Sequence, residues 1–242
     1  MSKEDTLIIF TDGSSRGNPG PGGYGSIVIR GSQVTELGGY SEETTNNRME
    51  LTAVIKALQS ISDDVKNKAT IYTDSSYVLK GSTGWMYGWK KNGWKTANKQ
   101  EVLNQDLWQD MIQVIELIGA DALEWNLIKG HDGIVGNERA DLIATSFSEK
   151  KPLELFNGSL ETYDALLGES ILKVPEISHD HPKRSHKKPF SYVSMVDGRV
   201  EIHASWADTE NRVKGVSGAK FKKAISKIDE EKIIEEWQRT LF

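Results

Sequence analysis

Four carboxylates stand where a fold could bring them together. Asp12 and Asp74 each follow a threonine and precede Gly or Ser, Glu50 opens a stretch of apolar residues at helical spacing, and Asp141 lies early in another. Acids crowded into one crevice repel and raise each other's pKa unless hard cations bind, and an all-oxygen ligand set suits two Mg2+ ions, with Mn2+ as a substitute. Two such ions could activate a water on one side of a phosphodiester and stabilise the leaving oxygen on the other. Taken singly, each acid also has a plainer reading. Asp12 before Gly13 is an ordinary turn residue, Glu50 three places after Asn47 fits a capping box, and Asp141 suits a helix amino terminus.

The surrounding pattern predicts elements that would gather these acids. Residues 6–12, 23–30 and 33–40 read as three antiparallel strands, 47–61 as a helix carrying Leu51, Val54, Ile55, Leu58 and Ile61, and 69–74 as a fourth strand. Helices over 100–118 and 137–150 flank a fifth strand at 123–129. The order β-β-β-α-β-α-β-α predicts an α/β fold: a five-stranded mixed sheet, strands one to three antiparallel and one, four and five parallel, flanked by helices. In such a sheet the ends of neighbouring parallel strands face one crevice, so Asp12 and Asp74 can meet there. Glu50, in the first turn of the crossover helix, and Asp141 point toward the same edge.

At 242 residues the chain suits one full domain and a smaller one. We place a catalytic-sized domain at 1–150, a linker at 151–189 that turns basic in HDHPKRSHKKP, and a small α/β domain at 190–242. There the Asp197-Gly198 turn predicts a hairpin, with short helices over 209–213 and 229–239. A hydrophobic fraction of 37% and a charged fraction of 27% are those of a chain that buries a core. Cysteine is absent, which excludes a disulfide framework and a thiolate zinc site. The amino terminus lacks the apolar run of a secretory signal, and no stretch approaches the roughly 20 apolar residues of a membrane span. A cytoplasmic address with no membrane is therefore the expectation, and a monomer with no obligate protein partner is taken as the default.

The net charge of -5 argues against a uniformly basic nucleic-acid binder, but charge is segregated. Residues 1–178 hold 17 Lys and Arg against 25 Asp and Glu, whereas 179–223 hold 10 against 5. Between Trp85 and Lys99 lie four lysines and no acid, interleaved with Trp85, Tyr87, Trp89 and Trp94. Either basic region could meet a phosphate backbone.

The blocks TDGSSRGNPGPGGYG, TTNNRMEL, YTDSSYV and KGHDGIVGNERADLIA, in that order over residues 6–150, resemble the signature blocks of type 1 ribonuclease H. The resemblance implies hydrolysis of the RNA strand of RNA/DNA hybrids, giving 5′-phosphate and 3′-hydroxyl ends. It also implies that Asp12, Glu50, Asp74 and Asp141 ligate the metals, that His131 assists proton transfer or product release, and that Glu138 lies near the second metal. Asn18, Thr45, Asn46 and Asn47 match positions that touch the hybrid, where amides and hydroxyls can pair with phosphates and the 2′-OH. Trp85, Trp89, Lys90, Lys91 and Lys95 fall in a segment resembling the family's basic protrusion, which grips the DNA strand. The chain departs from many bacterial relatives at Ser76, where they carry Gln.

Residues 190–237 resemble the small hybrid-binding, viroplasmin-like domain found at the amino terminus of many eukaryotic type 1 enzymes, here at the opposite end. The resemblance implies that this module binds hybrid or duplex RNA, with Tyr192, Trp206 and Phe221 on the nucleic acid and Lys222 and Lys223 on phosphates. Ala224 replaces a common aromatic. Two other readings compete: a catalytically silent hybrid-binding protein, and a DNA-cutting nuclease of the same fold. The presence of all four acids opposes the first; the NNRMEL block and the basic protrusion oppose the second by resemblance.

Overall fold

Alternating apolar residues in the first third of the chain form a meander: β1 (Leu7–Ser15), β2 (Gly20–Arg30) and β3 (Gln33–Thr44), each antiparallel to the next. The computed structural model describes residues 7–62, 68–130, 132–174, 190–196, 198–216 and 218–224, together with 226, 227, 230, 231, 233, 234 and 237. The chain divides into two compact units, Met1–Ile177 and Ser178–Phe242. Among the described residues no helix is long and apolar enough to cross a membrane.

In the first unit, α1 (Asn46–Ile61) crosses over to β4 (Ala69–Thr73), which lies parallel to β1. The cap of α1 is Thr45, whose hydroxyl accepts from the Arg48 amide at 3.4 Å, so Glu50 is not the partner of an Asn47 capping box. The stretch after β4 is more helical than the sequence pattern indicates. It runs through α2 (Ser76–Lys80), a π-helical turn (Gly81–Trp85) and α3 (Met86–Lys91). Then come α4 (Gln105–Ile118), β5 (Leu123–Leu127), parallel to β4, and α5 (Val135–Ser148).

The expected five strands are six. Residues 157–167, assigned above to a linker, form β6 (Asn157–Ser159) and α6 (Leu160–Leu167), and β6 pairs with Gln33–Thr35 of β3. The sheet order is β5-β4-β1-β2-β3-β6. No periodicity announces a strand of three residues, and Gly158 within it reads as loop. What holds the segment is burial: Tyr163 and Ile171 are completely buried among Phe10, Ile27, Ile29 and Ile143.

Two apolar cores sandwich this sheet. Ile9, Leu51, Leu58, Ile71, Trp108 and Met111 fill the side of α1 and α4, while Phe10, Ile27, Ile29, Ile143 and Tyr163 fill the side of α5 and α6. Ile9 and Phe10 face opposite ways because strand side chains alternate. On the second side α5 lies directly on the backbone of β2. A Cβ on Gly25 would stand 2.2 Å from the Ala140 carbonyl oxygen, and one on Gly23 2.3 Å from that of Ala144.

The second unit has a sheet of order β8-β7-β9, built from β7 (Ser191–Val196), β8 (Arg199–His203) and β9 (Lys220–Ala224), with α7 (Trp206–Val213). The predicted hairpin is present; β9 adds a strand, and α7 begins earlier than the predicted 209–213. Helical residues between 227 and 237 supply Ile233 and Trp237 to a core with Val193, Met195 and Ala224.

The close seat of α5 gives a direct test. Gly25→Ala is expected to cost about 1–3 kcal/mol or more by overpacking. Gly88→Ala in α3, where a Cβ meets nothing within 4 Å, is expected to be neutral or to stabilise. Chemical denaturation of the two variants measures the contrast, and equal stabilities would contradict the contact.

Candidate active site

Asp12 lies within β1, beside the carboxyl end of β4. The parallel register pairs Thr11 with Thr73, so the next residues, Asp12 and Asp74, leave the ladder side by side. Asp12 is 9% exposed, and its Oδ1 accepts from the Gly13 amide at 2.6 Å. Glycine is required at 13 because a Cβ there would meet the Glu50 amide nitrogen at 2.2 Å. That contact sets the first turn of α1 against the strand and brings Glu50 to the site. Asp141 arrives on α5, where Thr145, one turn later, donates to its Oδ1 at 3.3 Å.

Burial, followed by the charges of Asp74 and Asp141 and more weakly Glu50, pushes the Asp12 carboxyl up to about 8, against the lowering effect of the Gly13 amide. Glu50 is also raised, by burial first and then by Asp74, while hydrogen bonds from Ser75 and Asn46 oppose the shift. The four acids predicted from the sequence thus share one electrostatic neighbourhood. They do not form a closed cage: among the described residues no three acids or histidines stand together as a metal-ligating group. Glu50 is turned onto protein donors, with Asn46 Nδ2 at 2.8 Å on Oε1 and the Ser75 hydroxyl on Oε2. A set of carboxylate oxygens, one of them costly to ionise alone, fits a hard divalent cation.

Ser75 is a residue that sequence reasoning missed. Its hydroxyl accepts from the Val78 amide at 3.2 Å as the cap of α2 and donates to Glu50. The available signal was its place directly after Asp74. Gly130 is another: a Cβ there would come within 2.7 Å of Asp74 Oδ2. His131 lies outside the described residues, and Glu138 is exposed on the first turn of α5.

Of the residues expected to touch nucleic acid, Asn18, Asn46 and Asn47 are exposed and Thr45 is half-buried. In the basic segment Trp85 is 43% exposed. Trp89, by contrast, packs edge-on to the buried Trp108 at 5.7 Å, so much of its surface serves the core. Lys90 pairs with Glu116 at 2.5 Å, whereas Lys91 and Lys95 are exposed. In the second unit Tyr192, Trp206 and Phe221 form a chain of tilted and edge-on ring contacts at 5.7 and 5.2 Å. Trp206 is 41% and Phe221 53% exposed. The register pairs Lys223 with Tyr192 and Lys222 with Val193, so the two lysines lie on opposite faces of the sheet.

A family model described as RNase H matches residues 4–149. The ribonuclease H of Dechloromonas aromatica (strain RCB) is 51% identical over 144 residues, covering 60% of this chain and 94% of that protein. That of Thermosynechococcus vestitus is 48% identical over 149 residues, covering 61% and 91%. Among solved structures, LC9-RNase H1, a type 1 RNase H with the type 2 active-site motif, is similar with a TM-score of 0.55 at 29% identity, over 66% of this chain and 81% of that one. With the match spanning more than half of the chain and including all four acids, the chain belongs to the ribonuclease H family.

Proposed function

We propose that this enzyme hydrolyses the RNA strand of RNA/DNA hybrids at the crevice of Asp12, Glu50, Asp74 and Asp141, leaving 5′-phosphate and 3′-hydroxyl ends. The observation that carries the reading is the convergence of these acids, Asp12 and Asp74 side by side at the end of the β1–β4 ladder and Glu50 brought against Gly13, within the residues that match the RNase H family. Two divalent cations, Mg2+ or Mn2+, held by these acids would supply charge to activate water and to stabilise the leaving oxygen. The chain's own residues prepare that site. The Gly13 amide fixes Asp12 Oδ1, Asn46 and Ser75 orient Glu50, and Thr145 orients Asp141. Asn18, Thr45, Asn46 and Asn47 offer amide and hydroxyl groups to the hybrid, and Trp85, Lys91 and Lys95 offer a basic aromatic surface to the DNA strand. To His131 we assign proton transfer or product release.

The reading extends to the second unit, where exposed Trp206 and Phe221 beside Tyr192 form a stacking platform with Lys223 on the same face. A platform that binds hybrid or duplex RNA would raise the local substrate concentration at the first unit.

Three outcomes test these assignments. A labelled RNA strand should be cut in a hybrid with Mg2+ or Mn2+, and neither when single-stranded nor in EDTA. Asp12→Asn or Asp74→Asn should abolish cutting while hybrid binding persists; substantial metal-dependent cutting by either variant sinks the ligand assignment. Trp206→Ala with Phe221→Ala should weaken hybrid binding by roughly 1–3 kcal/mol per ring lost from the stack and reduce the cuts made per encounter. Unchanged values for both would remove the second unit from substrate binding.

A pH dependence follows from Asp12. In the unfolded chain this carboxyl ionises near 3.9, and in the folded chain at about 8. Between those values the folded state keeps a proton that the unfolded state has released, so without divalent ions stability falls as pH rises from about 4 to 8. Asp12→Asn removes that loss. Its unfolding free energy without divalent ions, measured by chemical denaturation, should exceed that of the unsubstituted protein at pH 8 by on the order of a few kcal/mol, and the two should converge near pH 4.

A further inference from the structure

Residues 150–174 lie beyond the family match, yet they close a buried charge in the first unit. The Glu36 side chain on β3 has no exposed surface, and its carboxylate accepts four hydrogen bonds. Arg139 of α5 donates two, from Nε at 2.6 Å and Nη2 at 3.0 Å. The Phe156 amide at 2.9 Å and the Tyr163 hydroxyl donate the others, and both belong to the segment after α5. Tyr163 is itself fully buried, with its ring 4.7 Å from that of Phe156. These donors hold the Glu36 carboxyl below its ordinary pKa even though burial opposes them.

Arg139 stands two residues before Asp141 on the helix that brings that acid to the site. The close contacts at Gly23 and Gly25 set how near α5 lies to the sheet, but they contain no directional bond. Direction comes from the forked bonds of Arg139 to Glu36, at 2.6 and 3.0 Å, and from the longer contacts of Thr145 and Ser148 with Ser14 of β1 at 3.5 and 3.4 Å. An ion pair in water would hold the two elements weakly, whereas this one cannot open without leaving the buried Glu36 carboxylate short of its cation. We infer that the segment 151–174 braces the active site: Phe156 and Tyr163 bind and cover the buried Glu36 carboxylate, whose fork with the partly exposed Arg139 helps to fix the rotation of α5 about its axis and holds Asp141 toward Asp12. Tyr163 is then a positioning residue, acting through Arg139 and α5. The inference rests on the assignment of Asp141 to the ion site, because a helix turning about its axis swings its carboxylates sideways, and ion ligands tolerate little displacement.

The test uses Tyr163→Phe in the full chain, which removes one donor and keeps the ring. Ile112→Val, a core substitution on α4, which carries none of the four acids, serves as the control for general destabilisation. Mg2+ binding is measured by calorimetry, and hybrid cleavage is followed against Mg2+ concentration. Tyr163→Phe should raise both the Mg2+ dissociation constant and the Mg2+ midpoint for cleavage roughly tenfold. Its kcat should recover at saturating Mg2+, its KM for hybrid should stay unchanged, and Ile112→Val should show no such shift. Added to Asp141→Asn, Tyr163→Phe should weaken Mg2+ binding no further. A Mg2+ dependence unchanged by Tyr163→Phe, or shifted equally by Ile112→Val, overturns the brace. If the unsubstituted protein neither binds Mg2+ nor cuts hybrid, the proposed function fails and the brace with it; if it does both, the variants judge the brace alone.

Discussion

Carboxylates repel one another at short range, and the first unit is arranged around holding four of them in one neighbourhood. The parallel pairing of β1 with β4 delivers Asp12 and Asp74 together, and the gap left by Gly13 lets the first turn of α1 bring Glu50 against the strand. The glycines of β2 let α5 lie on the sheet with Asp141. Among the described residues individual donors meet these acids: the Gly13 amide, Asn46, Ser75 and Thr145 each satisfy a carboxylate oxygen. A donor can orient a carboxylate without neutralising it, which leaves the negative potential available to a divalent ligand.

The other acid at the heart of this unit has the opposite fate. Glu36 is as buried as Asp12, but it meets a guanidinium and two further donors, so its ionised form is favoured where that of Asp12 is disfavoured. Two buried carboxylates in one domain thus titrate in opposite directions because of their partners. In the second unit, Ser194, fully buried between Arg212 at 2.8 Å and His203 at 2.7 Å, fastens α7 to the sheet and leaves the aromatic surface at the start of that helix free.

Much of this was legible in the sequence. Strand alternation in 7–44 and the helical spacing of 47–61 announced the meander and the crossover helix, and the four motif blocks singled out the acids that the fold brings into one neighbourhood. Three kinds of feature were not. The true start of β2 was hidden because Gly20 and Gly22 read as turn residues, although neighbouring chain approaches closely there: a Cβ on Gly20 would stand 2.4 Å from the Arg16 carbonyl oxygen and one on Gly22 2.4 Å from the Thr44 methyl. The helical turns of 76–91 contain Gly81, Gly84 and Gly88, whose weak helix propensity is overridden by packing of Gly81 on Trp108. The role of 151–174 depends on Tyr163 reaching a glutamate 127 residues away, and no local pattern encodes such a contact.

The addition of β6 also changes how the molecule meets its neighbours. A long strand at the border of a sheet presents unpaired amides and carbonyls on which a second chain can grow. With β6 in place, the twelve-residue β3 is covered over Gln33–Thr35, and the Glu36 amide is taken by the Phe156 carbonyl at 2.8 Å. The rest of β3 carries Gly38, Gly39, Glu42 and Glu43, a composition poorly suited to strand addition. The border strand at the other side of the sheet, β5, has five residues. The segment that covers a charge inside the protein thus also occupies one end of a sheet border, so a single stretch of chain closes the interior and shortens the edge open to another strand.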